Sequence, residues 1–216
     1  ISIDDNEQAQ LKLLCDEVFG EDNFIANIVW QKKYGPANDA IGISQTHEHL
    51  LVYGKNSSEW SPALLPRNEN QLKAFKNIDN DPRGPWRASD LSARTYNENC
   101  TYPIKGPNGD IFTPPPSRAW IFNKDRYNEL LNDNRITFGK DGSGRPMQKK
   151  FLSEVKSGIT PETWWDRDKV GDNKIARYEL KELFPENIFD TPKPTKLIKY
   201  ITKISKLEIN DLVLDF

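Results

Sequence analysis

The chain has 216 residues, of which 36% are hydrophobic, a formal net charge of −2 and a mean hydropathy of −0.75. That length allows one large or two small domains with a true core. Two isolated cysteines, Cys15 and Cys100, argue against a disulfide scaffold, and no apolar run approaches the roughly 20 residues a membrane helix needs. No signal peptide is visible, so the sequence reads as cytoplasmic and non-membrane.

Ile1-Ser2-Ile3 reads like a strand already under way. Asp4-Asp5-Asn6-Glu7 then opens a helix with a capping-box-like pattern. Leu11, Leu14, Cys15, Val18 and Phe19 supply its apolar face and Gly20 its stop. Residues 23–30 and 49–53 read as strands, giving an α/β sheet. Between them, Gln31 to Asp39 forms a polar loop rich in Gly and Asn, the kind that often carries function.

From 56 to about 165 the pattern breaks into turns, with short helices predicted at 68–76 and at 124–133, the second capped by Asn123. A helix over 172–184 follows, with Ala176, Leu180, Leu183 and Phe184 on one face. Thr191-Pro192-Lys193-Pro194-Thr195 leads into another helix, whose apolar residues fall at 197, 198, 201 and 204. Pro194 suits a first helical turn, and a lysine at a helix N-terminus is a candidate anchor for a carboxylate or phosphate. Asp211 to Phe216 (DLVLDF) then reads as a central, fully buried strand, and open α/β sheets bind ligands just past the carboxyl ends of such strands.

His47-Glu48-His49 invites a metal reading, because side chains alternate along a strand and 47 and 49 share a side. No third ligand stands nearby in sequence, so no metal site is expected. The pairs Asp4-Asp5, Glu21-Asp22 and Asp166-Asp168 lie where caps and turns want acids. No Gly-x-Ser-x-Gly, P-loop or complete Gly-x-Gly-x-x-Gly occurs, which argues against acyl or phosphoryl transfer.

Residues 63–178 carry 20 Lys+Arg against 15 Asp+Glu, while both flanks are acidic. A basic middle between acidic flanks suits a nucleic-acid-facing insert. Within it, Trp86, Trp120, Trp164, Trp165, Tyr96, Tyr102 and Phe112 lie among Arg83, Arg87, Arg94, Arg118, Arg145, Lys149 and Lys150. The cations are candidate contacts to phosphates and guanine edges. The aromatics read mainly as core, with base stacking as their functional alternative.

TPKPTKLIKYI followed by DLVLDF resembles the junction of amino-directed DNA methyltransferases of the circularly permuted beta arrangement. ISIDDNEQAQLKLLCDEVFGEDNFIANIVW followed by HEHLLVYGK is similar to the segment after their catalytic motif. DPRGPW and WWDRDKVGDNKIARYELKELF resemble the modification subunits of type III restriction systems. The resemblance implies an α/β fold: a partial Rossmann-like methyltransferase sheet with an irregular α+β target-recognition insert. It divides the chain into a catalytic part at 1–56, the insert at 57–170 and a return to the catalytic domain at 171–216.

The family's activity is adenine-specific methyl transfer from S-adenosylmethionine to the exocyclic amine of adenine in DNA. Asp215, Phe216, Lys193, Pro194 and Thr195 would border the cofactor. Duplex DNA is the implied partner, with a restriction endonuclease subunit and a homodimer as further expected partners. The Asp-Pro-Pro-Tyr-type motif would lie upstream of Ile1 and the Gly-rich turn after Phe216. The chain is therefore expected to be truncated at both ends, to hold no catalytic residue, to be inactive alone and to bind little cofactor. A DNA-binding module without chemistry is the alternative reading, and a carbohydrate-binding protein using its tryptophans is a third.

Overall fold

The structure, a computed structural model, describes residues 1–186 and 189–214. In chain order its main elements begin with β1 (Ser2–Ile3), α1 (Gln8–Phe19), β2 (Phe24–Gln31) and β3 (His47–Tyr53). Then come α2 (Glu69–Lys73), β4 (Trp86–Asp90), β5 (Ser92–Ala93), β6 (Ile104–Lys105), β7 (Ile111–Phe112), β8 (Ala119–Trp120), α3 (Lys124–Asn132), β9 (Ile136–Thr137) and β10 (Met147–Phe151). The chain closes through β11 (Trp164–Trp165), α4 (Arg167–Val170), α5 (Asn173–Leu183) and α6 (Thr195–Ile204). The result is a mixed α/β protein with small sheets.

Two compact units divide these elements: Ile1–Pro66 with Gly158–Phe216, and Arg67–Ser157. Residues 57–66 and 158–170, assigned to the insert from sequence, belong to the first unit. Leu65 and Ile159 explain this, since each donates its N–H to the other's carbonyl at 2.8 Å.

The first unit is built on a four-stranded sheet in the order β1-β3-β2-β11. All neighbours are antiparallel except β2 and β11, which run parallel with Trp165 opposite Trp30. Strand alternation sorts the side chains onto two faces. On one, Ile28, Trp30 and Leu50 join Trp165, Val170 and, from α6, Leu197 and Ile204 in a single buried cluster. On the other, Leu51 is buried and the Tyr53 hydroxyl donates to Asp16 of α1 at 2.7 Å.

Caps explain most helix starts. Asp172 accepts the Ile175 N–H at 3.0 Å to begin α5, and Asn123 accepts that of Arg126 at 2.9 Å to begin α3. Pro194, at φ −66°, sits at the N-cap of α6.

Three expectations need correction. The start of α1 has no side-chain cap, because Asp4 is taken by the Asn6 N–H and Asp5 by His49. Of the residues assigned to its apolar face only Cys15 is buried, while Leu14, Val18 and Phe19 are exposed. Leu183 and Phe184 of α5 are exposed as well, leaving Ala176 as its buried anchor.

The third correction concerns residues 211–214, which form no strand; Leu212, Val213 and Leu214 are 98%, 65% and 81% exposed. The Asp211 carboxylate accepts the Glu208 N–H at 2.8 Å to close a turn, and among the described residues no strand pairs with the segment. Val29 lies in the sheet and Val213 does not. Asp215 and Phe216 lie outside the described residues.

The second unit holds the antiparallel sheet β4-β10-β9 and two ribbons, β5-β8 and β6-β7. Leu91, Ile104, Trp120, Tyr127, Leu130, Ile136 and Phe138 form its core. Beside that core lies an ionic node. The Asp81 side chain is fully buried and accepts two hydrogen bonds from the Arg83 guanidinium at 2.8 Å. That guanidinium holds the Asp81 carboxyl well below the usual carboxylate range.

Candidate nucleic-acid interface

The polar loop after β2 does not hang free. The Asn173 N–H donates to the Lys32 carbonyl at 3.0 Å, and the Trp30 indole N–H donates to the Gly171 carbonyl at 2.9 Å. Gly171 makes this possible with φ +82° and ψ 171°, a region essentially restricted to glycine, and any Cβ there would meet Pro194 at 2.9 Å. The strand end, the α4–α5 turn and the start of α6 are thereby locked together.

Between the loop and α5 opens a cleft of about 710 Å³, lined by Lys32, Lys33, Tyr34, Arg167, Lys174 and Arg177, with Asp172 and Tyr178 beside them. The one acid that lines it among the described residues, Asp172, is 3.0 Å from Arg167 Nε and caps α5. Lys32 is matched by Glu48 at 3.1 Å. Lys33, Lys174 and Arg177 have no acidic partner within 4 Å among the described residues. The Arg167 guanidinium lies 4.6 Å from the Tyr34 ring centre, and Lys174 lies 5.8 Å from that of Tyr178. Three unmatched cations and two aromatic rings form a receptor for phosphate oxygens, with flat surfaces on which a base could rest. Sequence reading flagged the loop but missed Arg167, Lys174 and Arg177. The available signal was the i, i+3 spacing of Lys174 and Arg177 on a capped helix.

At the floor of the same region, Glu48 binds Lys32 and, at 2.5 Å, Lys193, whose ammonium also lies 5.1 Å from the Trp30 ring centre. Burial pushes the Glu48 carboxyl up, but the two ammonium groups outweigh it and hold it below its ordinary 4.5. A carboxylate with a depressed folded pKa adds stability at pH values above about 4.5, and that contribution fades as pH falls through the folded value. Glu48→Gln is therefore expected to lower stability at neutral pH by about 1–2 kcal/mol. It should also flatten the acid limb of the stability–pH curve, read by urea unfolding at a series of pH values.

The residues assigned to the cofactor are partly engaged. Lys193 is held by Glu48, Pro194 is buried, and the Thr195 N–H and hydroxyl donate to the Glu179 carboxylate at 2.8 and 2.9 Å. The start of α6 thus already receives a carboxylate.

In the second unit, Arg87 and Lys150 are directly opposed on β4 and β10. Arg94 is exposed. Arg118 donates to Ser92 Oγ at 3.3 Å, and Arg145 donates to the Thr113 carbonyl at 2.9 Å with its guanidinium 5.9 Å from the Trp120 ring centre. Two of the sequence-assigned cations are committed internally. Arg83 binds Asp81 and Asp133, and Lys149, 3% exposed, binds Asp79. Trp86, Trp120 and Trp165 are buried, whereas Trp164 and Tyr96 are exposed.

Comparison with known proteins follows the same line. Over its full length the chain is 37% identical to the StyLTI Mod subunit, a type III restriction-modification enzyme of Salmonella typhimurium, and spans 32% of that protein. It is 30% identical to the EcoPI Mod subunit of Escherichia phage P1, spanning 37% of it, and 30% identical to the type II methyltransferase M.KpnI of Klebsiella pneumoniae, spanning 54%. The chain covers about a third of the length of these Mod relatives. A family model described as DNA methylase matches residues 1–216, and the chain therefore belongs to the DNA methylase family.

Proposed function

We propose that this chain forms part of a site-specific DNA methyltransferase that transfers a methyl group from S-adenosylmethionine to the exocyclic amine of adenine. The observation that carries the reading is a family match over residues 1–216, which takes in both compact units. Methyl transfer needs donor, methyl carbon and acceptor nitrogen in line, so positioning is most of what the protein contributes. The cofactor supplies an electrophilic methyl on a sulfonium. At α6, Thr195 presents an N–H and a hydroxyl to a carboxylate, the group that the cofactor's amino-acid end carries. Lys193 and Pro194 border that point, and Asp215 and Phe216 complete the proposed set.

The cleft of Lys33, Lys174 and Arg177 takes the phosphodiester backbone beside a flipped adenine, whose extrusion from the duplex the chemistry requires. In the second unit Arg87, Lys150, Arg94, Arg118 and Arg145 supply target contacts. A Rossmann-like sheet in the whole enzyme, an endonuclease subunit, a homodimer and a cytoplasmic location belong to the same reading. Among the described residues no helix is long and apolar enough to cross a membrane.

The test is duplex binding by fluorescence anisotropy across a salt series. Each neutralised phosphate contributes about 0.9 to the slope of log affinity against log salt. The triple variant Lys33→Ala, Lys174→Ala, Arg177→Ala is expected to lose about two to three units of slope and roughly 10- to 100-fold in affinity. An unchanged slope would remove the cleft from the DNA path.

A further inference from the structure

Asp5, which sequence reading kept apart from the two histidines, converges with His47 and His49 at the start of β3. His47 and His49 project from the same face of β3, their rings edge to face with centres 5.1 Å apart. Asp5, in the turn before α1, brings Oδ1 to 2.8 Å from His49 Nε2 and 3.5 Å from His47 Nε2. One ligand atom from each of the three lies within 4.8 Å of the others. No third ligand was visible in the sequence because Asp5 is more than forty positions from the histidines and arrives only through the β1–β3 pairing.

A second contact fixes the chemistry. His49 Nδ1 is 3.1 Å from the side-chain oxygen of Asn27 on the adjacent strand. An amide oxygen only accepts, so Nδ1 is the nitrogen turned to Asn27 and Nε2 the one left facing Asp5. Nε2 of His47 faces the same oxygen, so both rings aim a nitrogen at one carboxylate atom.

We propose that Asp5, His47 and His49 bind a divalent transition metal of the zinc class through Asp5 Oδ1 and both Nε2 atoms, with solvent filling the remaining positions. Two imidazoles and one carboxylate suit zinc, cobalt or nickel and not magnesium or calcium. Ligand atoms about 2.0–2.1 Å from a tetrahedral zinc stand roughly 3.3–3.4 Å apart. The 3.5 Å pair already meets that spacing, and the 2.8 Å pair opens by about half an ångström, which the partly exposed Asp5 can supply. Asn27 then orients His49 as hydrogen-bonded outer residues orient metal-bound histidines. The nearest cation along the strand pair, Lys32, is neutralised by Glu48. Bound metal would fasten the turn ahead of α1 to β3.

The experiment is a titration of the tag-free 216-residue chain with Co²⁺, read by visible d–d absorption, followed by displacement with Zn²⁺. One saturating site with a tetrahedral band is expected. The band should be abolished by His47→Ala and by His49→Ala taken singly, and binding should weaken by about tenfold in Asn27→Ala. Circular dichroism of each variant separates loss of ligand from loss of fold. Asp5→Asn, at an exposed turn, provides a variant that keeps the fold and should also lose the band. The proposal is overturned if no band forms, or if the band survives removal of either histidine.

Discussion

Trp30→Ala is expected to destabilise the first unit by about 3–5 kcal/mol, the range for truncating a large buried aromatic. The indole is completely buried, and it serves three elements at once. Its ring packs with Ile28, Leu50, Trp165 and Leu197, its N–H holds the Gly171 carbonyl, and its face receives the Lys193 ammonium. Removing it leaves a cavity, takes the indole N–H from the buried Gly171 carbonyl and leaves Lys193 with Glu48 alone among the described residues. Trp30→Phe keeps most of the volume and loses the hydrogen bond, so a smaller loss of about 1–2 kcal/mol is expected. Urea unfolding combined with hydrogen exchange along β2 and β3 reads both values. Equal losses for the two variants would show that the hydrogen bond, not the packing, dominates.

The second large effect lies in the other unit. Lys149→Ala is expected to cost roughly 2–3 kcal/mol, below the full range for breaking a buried ion pair because Asp79 is partly exposed. The ammonium of Lys149 also lies 3.9 Å from Asp81 and 5.2 Å from the Trp86 ring centre, so its loss uncovers negative charge beside the core. DNA affinity and its salt slope should not change. The double variant Arg87→Ala, Lys150→Ala should show the reverse pattern: a lower slope with stability nearly intact. A Lys149→Ala chain that is stable but binds DNA weakly would place Lys149 at the interface instead.

Local chemistry was legible in the sequence wherever one turn or one strand decides the outcome. Asn123 caps the helix it precedes, α5 lies within the helix read over 172–184, Pro194 stands at the start of α6, and β2 and β3 form where their apolar runs lie. What the sequence did not disclose depends on distant partners. DLV at 211–213 has the composition of a buried strand, but burial needs neighbours on both sides, and no residue pattern announces whether they are there. The apolar stripe of α1 was read as a stripe, yet of its residues only Cys15 is buried, while Phe19 stays exposed beside the Tyr53 ring.

Among the candidate DNA contacts, charge count could not separate Lys149, neutralised inside, from Lys150, one residue on and facing out across β10. The cleft was half visible. Its loop stood out by composition, while Arg167, Lys174 and Arg177 are brought to it by long-range hydrogen bonds, from the Asn173 N–H to the Lys32 carbonyl and from the Arg167 N–H to the Gln31 side chain.

The reciprocal bond between Leu65 and Ile159 works as a buckle. Gly158 beside it leaves no room for a side chain, since a Cβ there would stand 2.5 Å from the Leu65 carbonyl oxygen. Whatever the chain does between those two points, the strap is fastened at the same place, and lengthening it costs only about 0.6 kcal/mol for each doubling. Segments of very different size and composition can therefore be exchanged between positions 67 and 157 while the sheet that carries the cationic cleft keeps its register. On the proposed function, a lineage can revise the unit that contacts the target without rebuilding the one that takes the DNA backbone.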